Sequence, residues 1–211
     1  MYDLHIHSNF SDGRASIDLI ARKAKEKGLK VIAIVDHSLE HKYGLNERKA
    51  RKRQNEIEKA KSKYDIEILG GIECGIGADG EILKPSVEFD LVLVAVHEIL
   101  PASEYYRRIE LCIQNNDVNI LSHFHSQMFC SLDGRNIAKD LEIVDKLIEN
   151  DVAIELNSLH LAPPEDLLKL LPFRKIKYSI GSDSHTLERV GDVKWCLRMA
   201  KKYLSKSKFI I

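Results

Sequence analysis

The sequence lacks the features that mark secreted, membrane-spanning and disulfide-rich proteins. Its four cysteines are widely spaced and form no C-x-x-C pair; they are Cys74, Cys112, Cys130 and Cys196. Cysteines of this kind are usually small core residues in a reducing compartment, so we expect no disulfide. No apolar run approaches the roughly 20 residues that cross a bilayer. The N-terminus has neither the basic nor the apolar segment of a signal peptide. The sequence therefore predicts a cytoplasmic protein with no membrane partner.

An excess of charge of one sign is also missing. The chain carries 32 basic and 32 acidic residues, so its formal net charge is zero. A nucleic-acid binder usually has a basic surplus or a basic stripe. The densest basic stretch, residues 47–63, is interleaved with glutamates and is typical of a solvated helix face. The charge pattern therefore argues against a nucleic-acid partner.

What the chain does have is a regular alternation of short β-type runs with longer helical patterns. We predict seven strands, at residues 2–7, 30–35, 66–72, 90–96, 118–122, 152–156 and 177–180. We predict helices at residues 16–27, 47–63, 102–115, 136–150, 164–171 and 188–204. Repeated β-α units indicate parallel strands with helices packed outside. Because no linker divides the chain, we predict a single domain over residues 1–211, either a barrel or an open doubly wound sheet.

Polar side chains follow nearly every predicted strand, and most of the nine histidines are among them. In chain order, the residues at or just beyond the strand ends are His5, His7, Asp36, His37, Glu73, His97, His123, Asn157, Asp183 and His185. An open sheet would spread seven strand ends along a line, whereas a barrel gathers them on one face, where catalytic residues lie. The placement of these residues therefore favours the barrel and predicts a site at its C-terminal face.

The pair His5-x-His7 carries its own metal-binding logic. Residues two apart on a strand point to the same face, so both imidazoles can reach one ion. Metal-bound histidines usually donate their second N–H to a carboxylate. We expect Asp3, one step deeper on that face, to accept this bond. We expect Asp36 either to orient its neighbour His37 or to support the ligands from behind.

Taken together, the motifs resemble the PHP (polymerase and histidinol phosphatase) superfamily. The matching segments, in family order, are Asp3-Leu4-His5-Ile6-His7-Ser8, Ser11-Asp12-Gly13, Val35-Asp36-His37, Gly71-Ile72-Glu73, Val96-His97, Ser122-His123 and Gly181-Ser182-Asp183-Ser184-His185. The resemblance implies a distorted seven-stranded (β/α)7 TIM-like barrel of the α/β class. It also implies a metal-dependent hydrolase of phosphoric esters, similar to histidinol phosphatase, with two or three divalent ions.

The resemblance further implies which residues hold the metals. His5, His7, Glu73 and Asp183 would hold the first ion, and Glu73, His97 and His123 the second, so that Glu73 bridges the two. His37 and His185 would hold a third ion. Many relatives add a histidine to that third site from the loop after the first strand, where this sequence has Asp12. We therefore expect Asp12 to act in its place.

A second departure from the family pattern follows His123. Many relatives read His-Pro there, often with a nearby arginine, but this sequence reads His123-Phe124-His125-Ser126. No substrate-binding arginine carries over. The candidates for contact with substrate are Arg14, His125, Arg135 and Asn157, and specificity is expected in loops 38–46, 75–86 and 125–135.

Imidazole and carboxylate ligands without thiolate suit zinc, manganese or ferrous iron. Two ions that share Glu73 would bridge a water, lower its pKa and make it a nucleophile toward a small phosphomonoester. We predict Glu73, Asp183, His37 and His185 as the catalytic residues. His185, His37 or a water on the third metal would protonate the leaving alkoxide.

Two alternatives remain open from the sequence. An amidohydrolase-type enzyme also begins with H-x-H on its first strand, but it typically bridges its metals with a modified lysine where this chain has Glu73. A non-catalytic PHP-like subunit of a nucleic-acid-processing assembly is the other alternative. Loss of metal ligands or a basic surface would favour that interpretation, and the sequence shows neither.

Overall fold

The structure is a computed structural model that describes residues 1–126 and 134–211. Cys130 and most of the predicted specificity loop 125–135 lie outside the described residues. The strands are β1 (Tyr2–Ile6), β2 (Val31–His37), β3 (Glu67–Gly75), β4 (Leu91–Ala95), β5 (Ile120–Leu121), β6 (Ala153–Asn157), β7 (Lys177–Gly181) and β8 (Lys208–Phe209). The helices are α1 (Ile17–Glu26), α2 (Glu47–Tyr64), α3 (Ala102–Asn115), α4 (Ile137–Glu149), α5 (Glu165–Leu168) and α6 (Lys194–Tyr203).

The sheet is parallel throughout, with its strands in the order β1 to β8. Its first and seventh strands meet at their carboxyl ends, where the His7 N–H donates to Ser184 O at 3.0 Å and the Asp183 N–H to His5 O at 2.9 Å. The sheet therefore curls into a distorted barrel. The predicted parallel α/β barrel is confirmed.

The number of strands differs from the prediction, because an eighth strand follows the last helix. β8 pairs with the amino-terminal part of β7, through Lys177 and Tyr178. The ring of Phe209 packs against Tyr2 of β1 at 5.1 Å between centroids. β8 thus lies between β7 and β1 at the end of the barrel opposite their meeting point. A pairing of two residues is too short to leave a periodic pattern in the sequence.

Local sequence signals account for most of the helix boundaries. Ser16 caps α1 by accepting from the N–H of Leu19, and Asn46 caps α2 by accepting from that of Lys49. The helix predicted at residues 188–204 was too long, since α6 begins at Lys194 after Gly191 adopts a φ of 75°. The helix predicted at 164–171 ends at Leu168 and is followed by a 3-10 turn at Leu171–Phe173. Pro172 has no backbone N–H, so the α-helical bond from residue 172 to Leu168 O cannot form.

An apolar layer inside the barrel lies beneath the polar strand ends. It comprises Leu4, Ala33, Val35, Leu91, Leu93, Ile120 and Ala153, all of them buried. Side chains two residues apart share a face of a strand, so this layer continues upward into His37, His97, Glu155 and Asn157. This apolar layer therefore closes the barrel beneath the site, and the polar side chains above it point toward one opening. No helix among the described residues is long and apolar enough to cross a membrane.

Candidate metal centre

The barrel brings all nine predicted metal ligands to its carboxyl end. Seven of them line a cavity of about 360 Å³, namely Asp12, His37, Glu73, His97, His123, Asp183 and His185. His5 and His7 lie directly below it and are buried. The outer edge is open, because the side chain of His185 is 31% exposed and that of Asp12 is 26% exposed. The cluster is thus accessible from the side of His185 and Asp12.

The first donor set consists of His5, His7, Glu73 and Asp183. Nε2 of His5 lies 3.1 Å from Nε2 of His7 and 3.6 Å from Oε2 of Glu73. Oδ1 of Asp183 lies 3.2 Å from Nε2 of His7 and 3.7 Å from Nε2 of His5. Two ligands about 2.1 Å from a tetrahedral zinc ion are roughly 3.4 Å apart. These separations fit donors that share one ion.

The second donor set consists of Glu73, His97 and His123. Here the other carboxylate oxygen of Glu73 is used, since Oε1 lies 2.9 Å from Nε2 of His123 and 3.5 Å from Nε2 of His97. The two oxygens of Glu73 therefore face two different groups of imidazoles. This is the arrangement expected of a carboxylate that bridges two ions.

The third donor set consists of Asp12, His37 and His185. Oδ2 of Asp12 lies 3.2 Å from Nε2 of His185 and 3.5 Å from Nε2 of His37. Its Oδ1 lies 3.5 Å from Nδ1 of His7. Asp12 therefore occupies the place in which the family pattern suggested a histidine.

The geometry of two nitrogens supports a cation at the cluster. Nδ1 of His7 and Nδ1 of His37 are buried and make no hydrogen bond within the described parts of the chain. Yet Oδ1 of Asp12 lies 3.5 Å from the former, and Oε2 of Glu73 lies 3.2 Å from the latter. Nitrogens and carboxylates that face one another without hydrogen-bond geometry are suited to a shared ion. The nitrogen and oxygen donors fit zinc, manganese or ferrous iron.

The carboxylates of the cluster are ionised. Burial alone would raise the pKa of Glu73, but the charges of His5 and His97 and the hydrogen bond of His123 hold that pKa well below its usual range. Burial lowers the pKa of His7 to about 4, so its imidazole is neutral at pH 7, the form that binds metals. Burial would also lower the pKa of His5, but the charges of Glu155, Asp183 and Glu73 raise it well above its usual value. The carboxylates around His5 thus favour a positive charge at this position, which a bound cation would supply while leaving the imidazole neutral.

Two of the ligands have strained backbones. His123 has a φ of 27° and Asp183 a φ of 52°. Residues other than glycine adopt this left-handed region of the backbone only at an energetic cost. Both residues follow the ends of strands, and the turn directs their side chains inward. Strain of this kind is common at functional sites because surrounding contacts hold it in place.

Glu155 is a member of the site that the sequence prediction missed. Its Oε1 accepts from Nδ1 of His5 at 2.7 Å, and its Oε2 accepts from the His123 N–H at 2.9 Å. Gly181 makes room for this pair, since a Cβ there would lie 2.4 Å from Oε1 of Glu155 and 2.5 Å from Cβ of His5. The expectation that Asp3 orients His5 was wrong. Asp3 instead accepts from Ser182 N and Oγ and from Gly191 N.

Of the two roles expected for Asp36, its contacts match support of the ligands from behind. It accepts from the N–H and hydroxyl of Ser8 and, at 2.7 Å, from the hydroxyl of Ser11. The buried Arg53 lies behind it, with Nη1 3.4 Å from Oδ2 of Asp36. Asp36 therefore holds the loop that carries Asp12, while no hydrogen bond to the His37 side chain is found among the described residues.

The residues predicted to contact substrate lie at different places relative to the cavity. Arg14 is exposed, and its N–H donates to His185 O at 2.9 Å, so it lies beside the cavity. His125 is buried against Asp140, with 2.6 Å between Nε2 and Oδ1. Arg135 is paired with Asp140 and Asp166. The structure therefore places neither His125 nor Arg135 in the cavity lining, and gives both a structural role in the α3–α4 region.

Asn157 also faces the protein rather than the cavity. Its Nδ2 donates to Glu155 at 2.9 Å and to Asp183 at 3.1 Å. Two histidines that the sequence had not singled out as ligands line the cavity instead. They are His41, whose ring stacks on His37 with 4.3 Å between centroids, and His160.

A comparison with protein families decides the identity of the fold. A model of the PHP domain matches residues 3–159 of the chain. The chain belongs to the PHP family. The resemblance drawn from the motifs is thereby confirmed, and membership in this family decides against the amidohydrolase alternative.

Two relatives of this PHP chain carry different names. It is 29% identical over 225 residues to the DNA polymerase/3'-5' exonuclease PolX of Bacillus subtilis, an alignment that covers 99% of this chain and 38% of that protein. It is 26% identical over 234 residues to a protein of Aliivibrio fischeri named "Probable phosphatase", with 99% and 88% of the two chains covered. The chain thus spans well under half the length of PolX.

The fold matches that of a solved enzyme. The crystal structure of histidinol phosphate phosphatase from Lactococcus lactis, in complex with zinc, L-histidinol and phosphate, superposes with a TM-score of 0.72. The two chains are 22% identical, and the match covers 96% of this chain and 93% of that one. At this level of identity the comparison shows the shared fold.

Proposed function

We propose that this PHP protein is a metal-dependent phosphoesterase that hydrolyses a small phosphomonoester at a centre of two or three metal ions. The observation that carries the proposal is the division of Glu73 between two donor sets. Its Oε1 lies 2.9 Å from His123, and its Oε2 lies 3.6 Å from both His5 and His7. The similarity to a protein named as a phosphatase supports the same reaction class.

Each donor set would hold one ion. The first would be bound by His5, His7, Glu73 and Asp183, the second by Glu73, His97 and His123, and the third by Asp12, His37 and His185. Bound ions would supply positive charge that neutralises the phosphoryl oxygens. They would also lower the pKa of a bound water to a value near neutral pH. The chain's own residues fix where that charge is placed.

The substrate's phosphoryl group would enter an opening lined by imidazoles and carboxylates. None of the residues that line the cavity in the described part of the chain is Lys or Arg. A phosphate dianion is therefore repelled by Glu73 and Asp183 unless cations screen them, so activity should require metal. Arg14, which is exposed and bonded through its backbone to His185, is a candidate for contact with the substrate outside the cavity.

The departing alkoxide needs a proton, and two histidines lie where one can be given. His37 and His185 both line the cavity, near its open side. Burial would lower the pKa of His37, but the hydrogen bond with Asp12 and the charges of Glu73 and Asp12 raise it to about 9. When the third donor set holds no ion, an imidazolium with this pKa keeps its proton at pH 7 and can act as the general acid, whereas His37 bound to a metal would be neutral.

The test is turnover against a panel of substrates. Metal-stripped protein is refilled with Zn²⁺, Mn²⁺ or Fe²⁺ and assayed for phosphate release from histidinol phosphate, sugar phosphates, nucleotides and p-nitrophenyl phosphate. We expect release of phosphate from at least one monoester by the refilled protein and none by the stripped protein. Metal binding without turnover of any ester would instead support the non-catalytic alternative.

A second candidate is hydrolysis of a phosphodiester. It is favoured by the 29% identity with PolX across 99% of this chain. The same panel should therefore include bis(p-nitrophenyl) phosphate and a labelled single-stranded oligonucleotide. Shortening of the oligonucleotide from its 3' end, in preference to monoester hydrolysis, would favour the diesterase.

A further inference from the structure

His160 lies on a loop that is held rigidly against the metal centre. Backbone bonds at 2.8 and 3.2 Å join Asn157 to Ala162 and close the loop. Inside it, Oδ1 of Asn157 accepts from the N–H of Leu159 at 3.0 Å and from that of His160 at 3.1 Å. The backbone of His160 is therefore fixed by a residue at the end of β6.

The His160 ring bridges two neighbouring segments of the barrel. Nδ1 lies 2.8 Å from the hydroxyl of Ser126, after β5, and Nε2 lies 3.2 Å from Oδ2 of Asp183, after β7. Its side chain is 6% exposed and lines the cavity. If the Ser126 hydroxyl donates to Nδ1, the proton of a neutral ring is on Nε2, where it can be donated to Asp183.

The two oxygens of Asp183 are divided between different partners. Oδ1 faces the first donor set, 3.2 Å from Nε2 of His7. Oδ2 faces away, toward Nδ2 of Asn157 at 3.1 Å and Nε2 of His160 at 3.2 Å. The backbone of Asp183 is strained, with a φ of 52°, and surrounding contacts must hold it in place. The bonds to Oδ2 contribute to this and hold the carboxylate in one orientation.

We propose that His160 is a positioning residue of the metal centre, which donates from Nε2 to Oδ2 of Asp183 and so presents Oδ1 to the metal of the first donor set. This inference rests on the metal centre of the proposed function. It adds a residue that lies outside the nine predicted ligands. It also assigns a role to the contacts that join Ser126, His160 and Asp183. Carboxylate orientation by outer partners of this kind typically changes metal affinity 10- to 100-fold.

The test compares His160→Gln with His160→Ala. Glutamine places an amide N–H near the position of Nε2 and is a poor metal ligand, so it preserves donation but not coordination. We measure Zn²⁺ and Mn²⁺ affinity of metal-stripped protein by competition with a chelator. Leu161→Ala, on the same loop at a side chain that is 57% exposed, is the matched control. Thermal unfolding of each metal-free protein checks that the variants fold.

We expect His160→Ala to weaken binding of the tightest ion by about 10- to 100-fold, while His160→Gln and Leu161→Ala stay close to the wild type. An equal loss in the Gln and Ala variants would overturn the proposal in favour of direct coordination, and an unchanged Ala variant would overturn it altogether. Because the assay contains no substrate, its outcome is separate from that of the phosphatase assay. A wild-type protein that binds no metal would contradict the metal centre itself.

Discussion

Glu155 accepts a hydrogen bond of 2.7 Å from Nδ1 of His5, and this bond turns Nε2 of His5 toward the first donor set. The same carboxylate accepts from the backbone of His123, which belongs to the second donor set. One buried side chain on β6 therefore fixes parts of two donor sets. Glu155 is thus placed to influence two of the three donor sets at once.

We predict that Glu155→Gln weakens metal binding by about 10- to 100-fold, as is typical when the partner of a ligating histidine is changed. An amide cannot accept at both oxygen positions, so it meets either His5 or His123 with the wrong polarity. Metal affinity is measured by chelator competition, with the exposed Glu149→Gln on α4 as the control. Equal affinities in the two variants would contradict this role.

We predict that Asp12→Ala removes about one ion per chain and leaves the others bound. Asp12 supplies the carboxylate of the third donor set, 3.2 Å from His185 and 3.5 Å from His37. Its other oxygen lies 3.5 Å from Nδ1 of His7, whereas the first donor set uses Nε2 of that ring. The metal-to-protein ratio, measured by elemental analysis after dialysis against a fixed free Mn²⁺ concentration, reports the change. Loss of every ion would show that the donor sets are not separable.

Some of the site was predictable because strands leave a regular pattern and histidines at their ends stand out. His5, His7, Glu73, His97 and His123 follow this logic, and the structure brings them together. Parallel strands that close into a barrel bring distant strand ends to one face, so the position in each strand was enough.

Other parts of the site depend on tertiary contacts that no local pattern encodes. Glu155 was missed because a single acidic residue in a short apolar strand forms no motif, although it shares a face with Asn157 two residues on. Asp3 was misassigned because its partners, Ser182 and Gly191, lie at the other end of the chain. Arg135 was a candidate for contact with substrate, but in the structure its guanidinium is paired with Asp140 and Asp166.

Asp140 provides a test of stability that is independent of metal. It is buried and accepts from the hydroxyl of Tyr106 at 2.7 Å and from Nε of Arg135 at 2.8 Å. Burial alone would raise its pKa, but hydrogen bonds from His125, Tyr106 and Arg135 outweigh burial and hold the pKa below its usual value. We predict that Asp140→Asn lowers the free energy of unfolding at pH 7 by roughly 1–3 kcal/mol.

The sign of its pH dependence follows from linkage. A carboxylate with a depressed pKa in the folded state stabilises the protein above its unfolded pKa of about 3.9, and this stabilisation is lost as the pH falls through the folded pKa. Urea unfolding should show a constant gap between wild type and Asp140→Asn from pH 7 to pH 5, and a narrowing gap below about pH 4. The exposed Asp145→Asn is the control. A gap that widens in acid would contradict the assignment.

The bridging position of Glu73 is the central claim, and Glu73→Gln tests it most directly when metal content and phosphate release are measured on the same sample. Glu40→Gln is a matched control, since Glu40 is an exposed carboxylate that accepts from Gly75 N at 2.6 Å and lies outside the three donor sets. We predict that Glu73→Gln folds, loses ions from both the first and second donor sets, and loses phosphoesterase activity, while Glu40→Gln keeps both properties. A folded Glu73→Gln protein with full metal content and full turnover would contradict the account.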